Sequence, residues 1–221
     1  MDIETINIDN IMVPFAIAWY DGVEGNGCFS DTLQKDKQNP EFAFFEKFKH
    51  VMDQICTRKY KNFTIYLHNY AKFDGYFLNK HLVKLGKVYP IIHNGKIISL
   101  KFTHKNGYSV FFKDSYLLLP KSLSELGISF NVTTQKGIFP YLLEDTNYIG
   151  PVPDYKYFVG LSLEKYNNYK DSFINKEWNF KDECSNYCRT DCVSLHEIMS
   201  KFNELIYKLF KINIFNYPTI F

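Results

Sequence analysis

The stretch HNYAKFDGYF, residues 68–77, places an acidic side chain, Asp74, just after a short hydrophobic segment. The residues before this stretch, 62–67, read NFTIYL, and such a run of β-branched and aromatic side chains predicts a strand of a buried sheet. After Asp74, apolar side chains recur at helical spacing until Gly86, which predicts a helix that ends there. Side chains that bind ligands often collect where a strand meets the next helix. Taken alone, Asp74 is explained more simply as the N-cap of the helix.

Two further acidic clusters give Asp74 possible companions. Asp2 and Glu4 are two residues apart, and on a strand this spacing turns both carboxylates to one face. Tyr187 and Asp191 are four residues apart, which makes them neighbours on a helix. If an α/β fold gathers these carboxylates with that of Asp74, they could hold two hard cations about 4 Å apart, as phosphodiester hydrolysis requires.

The remaining pattern predicts alternating strands and helices. The sequence predicts strands at 2–8 and 13–20 joined as a hairpin, a helix over 41–59, a hairpin-linked group of strands over 89–113, a short helix from 122 and a long helix over 182–212. Between the predicted strands of residues 89–113, the turns are Asn-Gly pairs at 94–95 and 106–107. Residues 131–182 show weak periodicity, which predicts a long, partly ordered, irregular insertion with small elements of its own, within a single domain of residues 1–221.

The long helix over 182–212 turns its acidic residue inward. Tyr187 and Asp191 share a face with Leu195 and Ile198, so the pair should point into the body of the protein. A buried Asp is costly without a partner. Either a hydrogen-bond network or a cation must therefore satisfy Asp191, and the residues alone leave both open.

Composition excludes some classes of protein. The net charge of +2, from 26 basic and 24 acidic residues, produces no overall field typical of a nucleic-acid binder, although a local basic groove stays open. Five cysteines, without a signal peptide, argue against a disulfide framework and for a reducing compartment. Three of them, Cys184, Cys188 and Cys192, share a helix face but lack the paired spacing of zinc sites, so we expect buried packing residues. No apolar run approaches the roughly 20 residues of a membrane span.

The three acidic clusters resemble, in order, the three exonuclease motifs of proofreading family B DNA polymerases. The sequences of these motifs are most similar to those of the protein-primed polymerases of mitochondrial linear plasmids and related viruses. Four further stretches share the resemblance, at 14–17, 113–116, 136–141 and 217–220. Together with the motifs they span nearly the whole chain.

The resemblance implies a ribonuclease-H-like α/β exonuclease fold, with a mixed sheet flanked by helices. It further implies a 3′-to-5′ exonuclease in which Asp2, Glu4, Asp74 and Asp191 hold two divalent ions, Mg²⁺ or alternatively Mn²⁺. Tyr187 would position the attacking water, since an unperturbed phenol keeps its proton at neutral pH.

By the same resemblance, Asn69, Phe73 and Ser115 should contact the single-stranded 3′ end of DNA, and Lys136 should assist the metal site. The sequence departs from the family pattern at Tyr116, next to Ser115, and at Ile138, two residues after Lys136. Judged without the resemblance, Asn69 would be a turn residue, Phe73 a core aromatic and Lys136 a solvated surface lysine.

The family comparison also sets expectations about the ends of the chain. Only Met1 precedes Asp2, so we expect a shortened first strand, and no Asp-Thr-Asp-like motif follows, so we expect the polymerase domain to be missing and the chain not to polymerise DNA by itself. Two alternatives remain: an impaired remnant that serves as a DNA-binding or structural module, and an exonuclease that acts on RNA. The resemblance also implies a mitochondrial location, a terminal protein as a further partner and no membrane.

Overall fold

The structure, a computed structural model, describes residues 1–8, 10–29 and 40–217. Its strands are β1 (Asp2–Ile8), β2 (Ile11–Tyr20), β3 (Gly25–Phe29), β4 (Thr64–Leu67), β5 (Gly86–His93), β6 (Lys96–His104), β7 (Ser109–Asp114), β8 (Ile149–Gly150) and β9 (Trp178–Asn179). Its α-helices are α1 (Pro40–Ile55), α2 (Asp74–Leu85), α3 (Leu123–Ser129), α4 (Leu163–Asp171) and α5 (Phe180–Phe210). Short 3₁₀ turns cover Ser115–Leu117, Tyr155–Tyr157 and Ile214–Asn216.

Two sheets lie edge to edge. The first is antiparallel, in the order β1-β2-β3, and the second has the order β4-β7-β6-β5, in which β4 runs parallel to β7 and the other pairs are antiparallel. The amino group of Met1, just before β1, donates a hydrogen bond of 3.0 Å to the carbonyl of Tyr66 in β4. This bond links the first sheet to the second.

Strand β2 is buried on both faces, and its alternate side chains contact helices in two different layers. Ile17 and Trp19 pack into the core formed with α1 and α2, whereas Ala16 and Ala18 pack against α5. Because successive side chains of a strand point to opposite faces, this alternation places α1 and α5 on opposite sides of the sheet. The predicted mixed sheet flanked by helices is confirmed.

Most of the predicted elements are present, with shifted ends. The hairpin turn of β5 and β6 places Asn94 and Gly95 at φ values of 47° and 72°, which the Asn-Gly pair adopts readily. Helix α3 begins with a capping box between Ser122 and Glu125. Helix α1 ends at Ile55, four residues before the predicted end, because the chain turns there with a hydrogen bond from the amide of Thr57 to the carbonyl of Ile55.

The segment 131–182 contains small elements of its own, as the sequence predicts. It contains α4 and the β8–β9 pair, and its aromatic side chains pack with those of β2 and α5 in a cluster around Trp178, which is fully buried. The indole nitrogen of Trp178 donates a hydrogen bond of 2.8 Å to the hydroxyl of Tyr169. Aromatic rings of this kind fill an irregular core without helical or strand periodicity, which is why the pattern was weak.

Two expectations from composition also have structural outcomes. Cys184, Cys188 and Cys192 are all buried along one face of α5, as expected of packing residues. None of the helices in the described ranges is long and apolar enough to cross a membrane.

Candidate active site

Asp114, at the end of β7, organises the loop between β4 and α2. Its side chain is 1% exposed and accepts hydrogen bonds from the amides of Asn69 (2.9 Å), Ala71 (2.8 Å) and Tyr116 (2.9 Å). Asn69 has a φ of 81°, the left-handed conformation that asparagine tolerates, so it is a turn residue as well as a predicted DNA contact. The parallel pairing of β4 with β7 brings this carboxylate beside the loop.

Replacing Asp114 by alanine should destabilise the protein by about 3 kcal/mol, because three amides lose their acceptor and a buried unmade hydrogen bond costs about 1 kcal/mol or more. Urea unfolding followed by circular dichroism measures the change. Asp154→Ala, at an exposed position, is the matched control. Equal stability of the Asp114→Ala variant and the unmodified chain would contradict this role.

Asp74 is the first residue of α2, and its N-cap interpretation is wrong. Phe73 occupies the N-cap position, and no side chain caps the helix there. Asp74 is 3% exposed, and in the described part of the chain its carboxylate bonds to no other residue. Burial, and next the charge of Asp2, raise the pKa of Asp74 well above its ordinary value. The carboxylate is therefore buried near another acid, and no Lys or Arg side chain of the described residues pairs with it.

The first strand and the last helix bring the other acids to the same place. Asp2 and Glu4 lie on one face of β1, and Asp191 lies on the buried face of α5, which packs on that strand. Burial, and next the charge of Asp191, raise the pKa of Asp2 to about 7. Burial, followed by the charges of Asp2 and Asp191, also raises the pKa of Glu4. The four predicted carboxylates thus form one group of mutually repelling acids.

Lys136 is drawn into this group from the segment that follows α3. Its Nζ lies 3.0 Å from Oδ2 of Asp191, and the amide of Gly137 donates to Oδ1 of the same carboxylate at 3.3 Å. Although burial disfavours its charged form, the carboxylate of Asp191 raises the pKa of Lys136. The structure therefore places Lys136 in the site and not among solvated surface lysines, and its assisting role stays a prediction.

Tyr187 stands one helical turn before Asp191, as the spacing predicted. Its ring stacks on that of Phe139 at a centroid distance of 5.3 Å, and its hydroxyl forms a hydrogen bond with that of Tyr141. The backbone of Gly137 passes close by, since an added Cβ there would lie 2.7 Å from Cδ2 of Tyr187. Burial, and next the charge of Asp191, raise the pKa of Tyr187, so the phenol keeps its proton.

The three predicted DNA contacts differ in accessibility. Phe73 is 37% exposed and lies against Phe77 at a ring distance of 5.4 Å, so one side of its ring is open to a ligand. Ser115 is fully buried, and its hydroxyl bonds to Nδ1 of His68 and to the carbonyl of Leu67. Ser115 therefore supports the loop from inside, and its contact with DNA stays a prediction.

Three residues of the site were not assigned from the sequence. Asp114 and Tyr141 lie within stretches that share the family resemblance, at 113–116 and 136–141, so that signal could have found them. Cys188 lies one residue after Tyr187, and its Sγ is 3.7 Å from Oδ2 of Asp2. Sequence spacing grouped this thiol with two other cysteines and gave no sign of its acidic neighbour.

Comparison with known proteins shows the family of the chain. The sequence pattern of type B DNA polymerases of organelles and viruses matches residues 54–220. The chain belongs to this family. Curated relatives include a probable DNA polymerase of Neurospora intermedia, 36% identical over 96% of this chain, and one of Ascobolus immersus, 34% identical over all of it. The chain covers 23% and 19% of these two relatives, so it corresponds to about a fifth of a longer polymerase.

Solved structures of Phi29 DNA polymerase share the fold. One, in complex with single-stranded DNA, matches 94% of this chain with a TM-score of 0.54 at 17% identity, and covers 30% of that polymerase. Another, in an orthorhombic crystal form, matches 98% of this chain with a TM-score of 0.56, also at 17% identity, and 31% of that polymerase. The ribonuclease-H-like fold expected from the sequence is therefore confirmed.

Proposed function

We propose that this chain is the 3′-to-5′ exonuclease segment of a protein-primed family B DNA polymerase, acting on the single-stranded 3′ end of DNA. The observation that carries the proposal is the convergence of Asp2, Glu4, Asp74 and Asp191, in which burial, and next the charge of a neighbouring acid, raise the pKa of three of them. Among the described residues, only Asp191 of the four forms a salt bridge. A fold that gathers uncompensated acids in this way is suited to bind cations.

The donor set fits hard divalent ions. Carboxylate oxygens are the ligands that Mg²⁺ and Mn²⁺ prefer, and three of these acids have no cationic side chain paired with them in the described ranges. Asp2, Glu4, Asp74 and Asp191 would hold the ions, with Mg²⁺ as the expected metal. When bound, such ions supply a nucleophile near neutral pH and neutralise charge on the phosphate.

The chain's own groups perform the positioning. Lys136, 3.0 Å from Asp191, orients that carboxylate and adds positive charge where a phosphate would approach. The protonated phenol of Tyr187, held by Tyr141, can donate a hydrogen bond or orient water, but it cannot remove a proton. The exposed side of Phe73 offers a surface for stacking on a terminal base.

The decisive experiment is degradation of a 5′-labelled single-stranded DNA by the purified chain, with Mg²⁺ or Mn²⁺ and with a chelator. A metal-dependent ladder that shortens from the 3′ end supports the proposal. A folded protein that leaves DNA intact but retains it in a binding assay would favour the remnant that only binds DNA. A matched RNA substrate, if degraded faster than DNA, would assign the site to RNA, because only RNA presents a 2′-hydroxyl.

Replacing Tyr187 by phenylalanine should slow DNA degradation up to about tenfold, since one hydrogen bond of the site is lost and such a bond contributes about 0.5–1.5 kcal/mol. The ring packing on Phe139 is kept, so thermal stability should hardly change. Single-turnover rates at saturating Mg²⁺ measure the effect.

Tyr141→Phe is the informative companion variant, because the two hydroxyls bond to each other. If they act as a unit, the double variant should be no slower than the slower single variant. Full activity of Tyr187→Phe would show that its hydroxyl has no role in positioning water.

A further inference from the structure

Cys188 brings a thiol into contact with the acidic group. It lies on α5 between Tyr187 and Asp191, is fully buried, and its Sγ is 3.5 Å from the carbonyl oxygen and 3.7 Å from Oδ2 of Asp2. Its neighbours on the same helix face, Cys184 and Cys192, are not members of this group of potential ligands. The three cysteines, equivalent in spacing, are therefore chemically different.

The spacing of these ligand atoms allows a tetrahedral site with mixed ligands. One ligand atom from each of Asp2, Glu4 and Cys188 lies within 4.8 Å of the other two. With metal–sulfur and metal–oxygen bonds of about 2.3 and 2.0 Å, two ligand atoms of a tetrahedral zinc ion lie about 3.5 Å apart. The measured separation of 3.7 Å between Sγ of Cys188 and Oδ2 of Asp2 needs almost no adjustment.

A second observation points to a cation at the same place. Asp74 is 3% exposed, and its carboxylate bonds to no other residue in the described part of the chain. After burial, the charge of Asp2 has the largest effect on its pKa, which places this carboxylate beside the same group. An additional buried negative charge favours any divalent ion held by Asp2 and Glu4.

We propose that Asp2, Glu4 and Cys188 form a binding site for a thiophilic divalent ion, Zn²⁺ or Cd²⁺, which competes with the hard ion of the exonuclease site. Magnesium avoids sulfur and requires octahedral oxygen ligands, whereas zinc accepts two carboxylates and one thiolate with water in the fourth position. On binding, the thiol of Cys188 transfers its proton to solvent and its sulfur bonds to the ion. The competition rests on the proposed function, but the binding of the soft ion does not.

The direct test is titration of the intact chain with Cd²⁺, followed by the ultraviolet charge-transfer band of a cadmium–thiolate bond. We expect one equivalent to produce the band in the unmodified chain, in Cys184→Ser and in Cys192→Ser. The band should be lost in Cys188→Ser, and metal affinity should fall by about 100-fold or more, because even outer-shell partners of a metal contribute about 10- to 100-fold. A band that survives in Cys188→Ser, or is absent from the unmodified chain, would overturn the proposal.

Asp2→Asn provides a check that leaves every thiol in place. It should weaken the cadmium band's apparent affinity at least tenfold, whereas a thiol that binds metal without the carboxylates would titrate unchanged and refute the site. This variant also covers the case in which Cys188→Ser does not fold, which circular dichroism would reveal.

Activity separates this proposal from the exonuclease assignment. If Mg²⁺ supports DNA degradation and micromolar Zn²⁺ inhibits it, both stand. If DNA is not degraded but the cadmium band depends on Cys188 and Asp2, the soft-metal site stands and the exonuclease assignment fails. If DNA is degraded and no thiolate band forms, Cys188 only donates a weak hydrogen bond to Asp2 and the soft-metal site is wrong.

Discussion

Asp74→Asn is expected to eliminate metal-dependent DNA degradation while leaving the metal-free protein at least as stable as the unmodified chain. The carboxylate is 3% exposed, is repelled by Asp2 and has no bond to another residue in the described ranges, so burial and repulsion disfavour its charge in the folded protein without metal. Asparagine keeps the shape and removes the repulsion. The rate should fall by at least about 10²- to 10³-fold, the loss caused by removing one pre-organised electrostatic group.

Asp191→Asn should lose activity to a similar degree but also lose stability. This carboxylate accepts from Lys136 and from the amide of Gly137, so its neutralisation leaves a half-buried ammonium without its partner. We expect a cost of about 1–3 kcal/mol, reduced from that of a fully buried pair because Lys136 is partly exposed. The opposite stability effects of the two variants distinguish an acid kept for a metal from one that also holds the fold together.

Single-turnover degradation and thermal unfolding of both variants make the comparison, with Asp171→Asn as an exposed control. Retention of activity in either variant would refute the four-carboxylate site. A marked loss of stability in metal-free Asp74→Asn would show instead that this carboxylate is bonded within the protein.

The sequence predicted which side chains share a face of a helix or strand better than it predicted which residues contact each other between elements. Helical spacing placed Tyr187 and Asp191 on the buried face of α5, and alternation placed Asp2 and Glu4 together, because both periods are properties of the local backbone. The place of Asp74 after a buried strand made it a candidate, and the family resemblance added Lys136. What no local pattern could supply was the salt bridge of Lys136 with Asp191, since 55 residues separate the two in the chain.

The same limit explains the contacts that the sequence did not predict. Ser115 lies in a stretch that resembles the family, and the hydrogen bond of its hydroxyl with His68, across the pairing of β4 with β7, is not predicted by that stretch. Cys188 was grouped with its helix neighbours, although only the packing of α5 on β1 decides which thiol meets Asp2. Such contacts depend on how helices and strands pack against each other, and the spacing of apolar residues in one sequence carries no information on this packing.

Divalent metal should stabilise the protein far more at pH 8 than at pH 5.5. The pKa of Asp2, raised from 3.8 to about 7, means that the folded, metal-free protein binds a proton that the unfolded chain has released between those values. Stability without metal therefore falls as pH rises through this window. The shift of Asp2 alone corresponds to on the order of 4 kcal/mol, since one pKa unit is worth about 1.4 kcal/mol. The raised pKa values of Glu4 and Asp74 act in the same direction.

A metal ion removes this loss at high pH, because it binds carboxylates that have already released their protons. At low pH the ion must first displace those protons, so it stabilises the protein less. His81 acts in the opposite direction, since burial lowers its pKa to about 4 and stability then falls as the pH drops below its ordinary value. Thermal unfolding is measured with Mg²⁺ and with chelator at each pH, and the difference between the two does not contain the contribution of His81. That side chain lies among the rings of Phe44, Phe45 and Phe48. In Asp74→Asn the dependence of metal stabilisation on pH should be weaker. Equal stabilisation by Mg²⁺ at both pH values would mean that the acids of this site are already ionised, or that metal binds elsewhere.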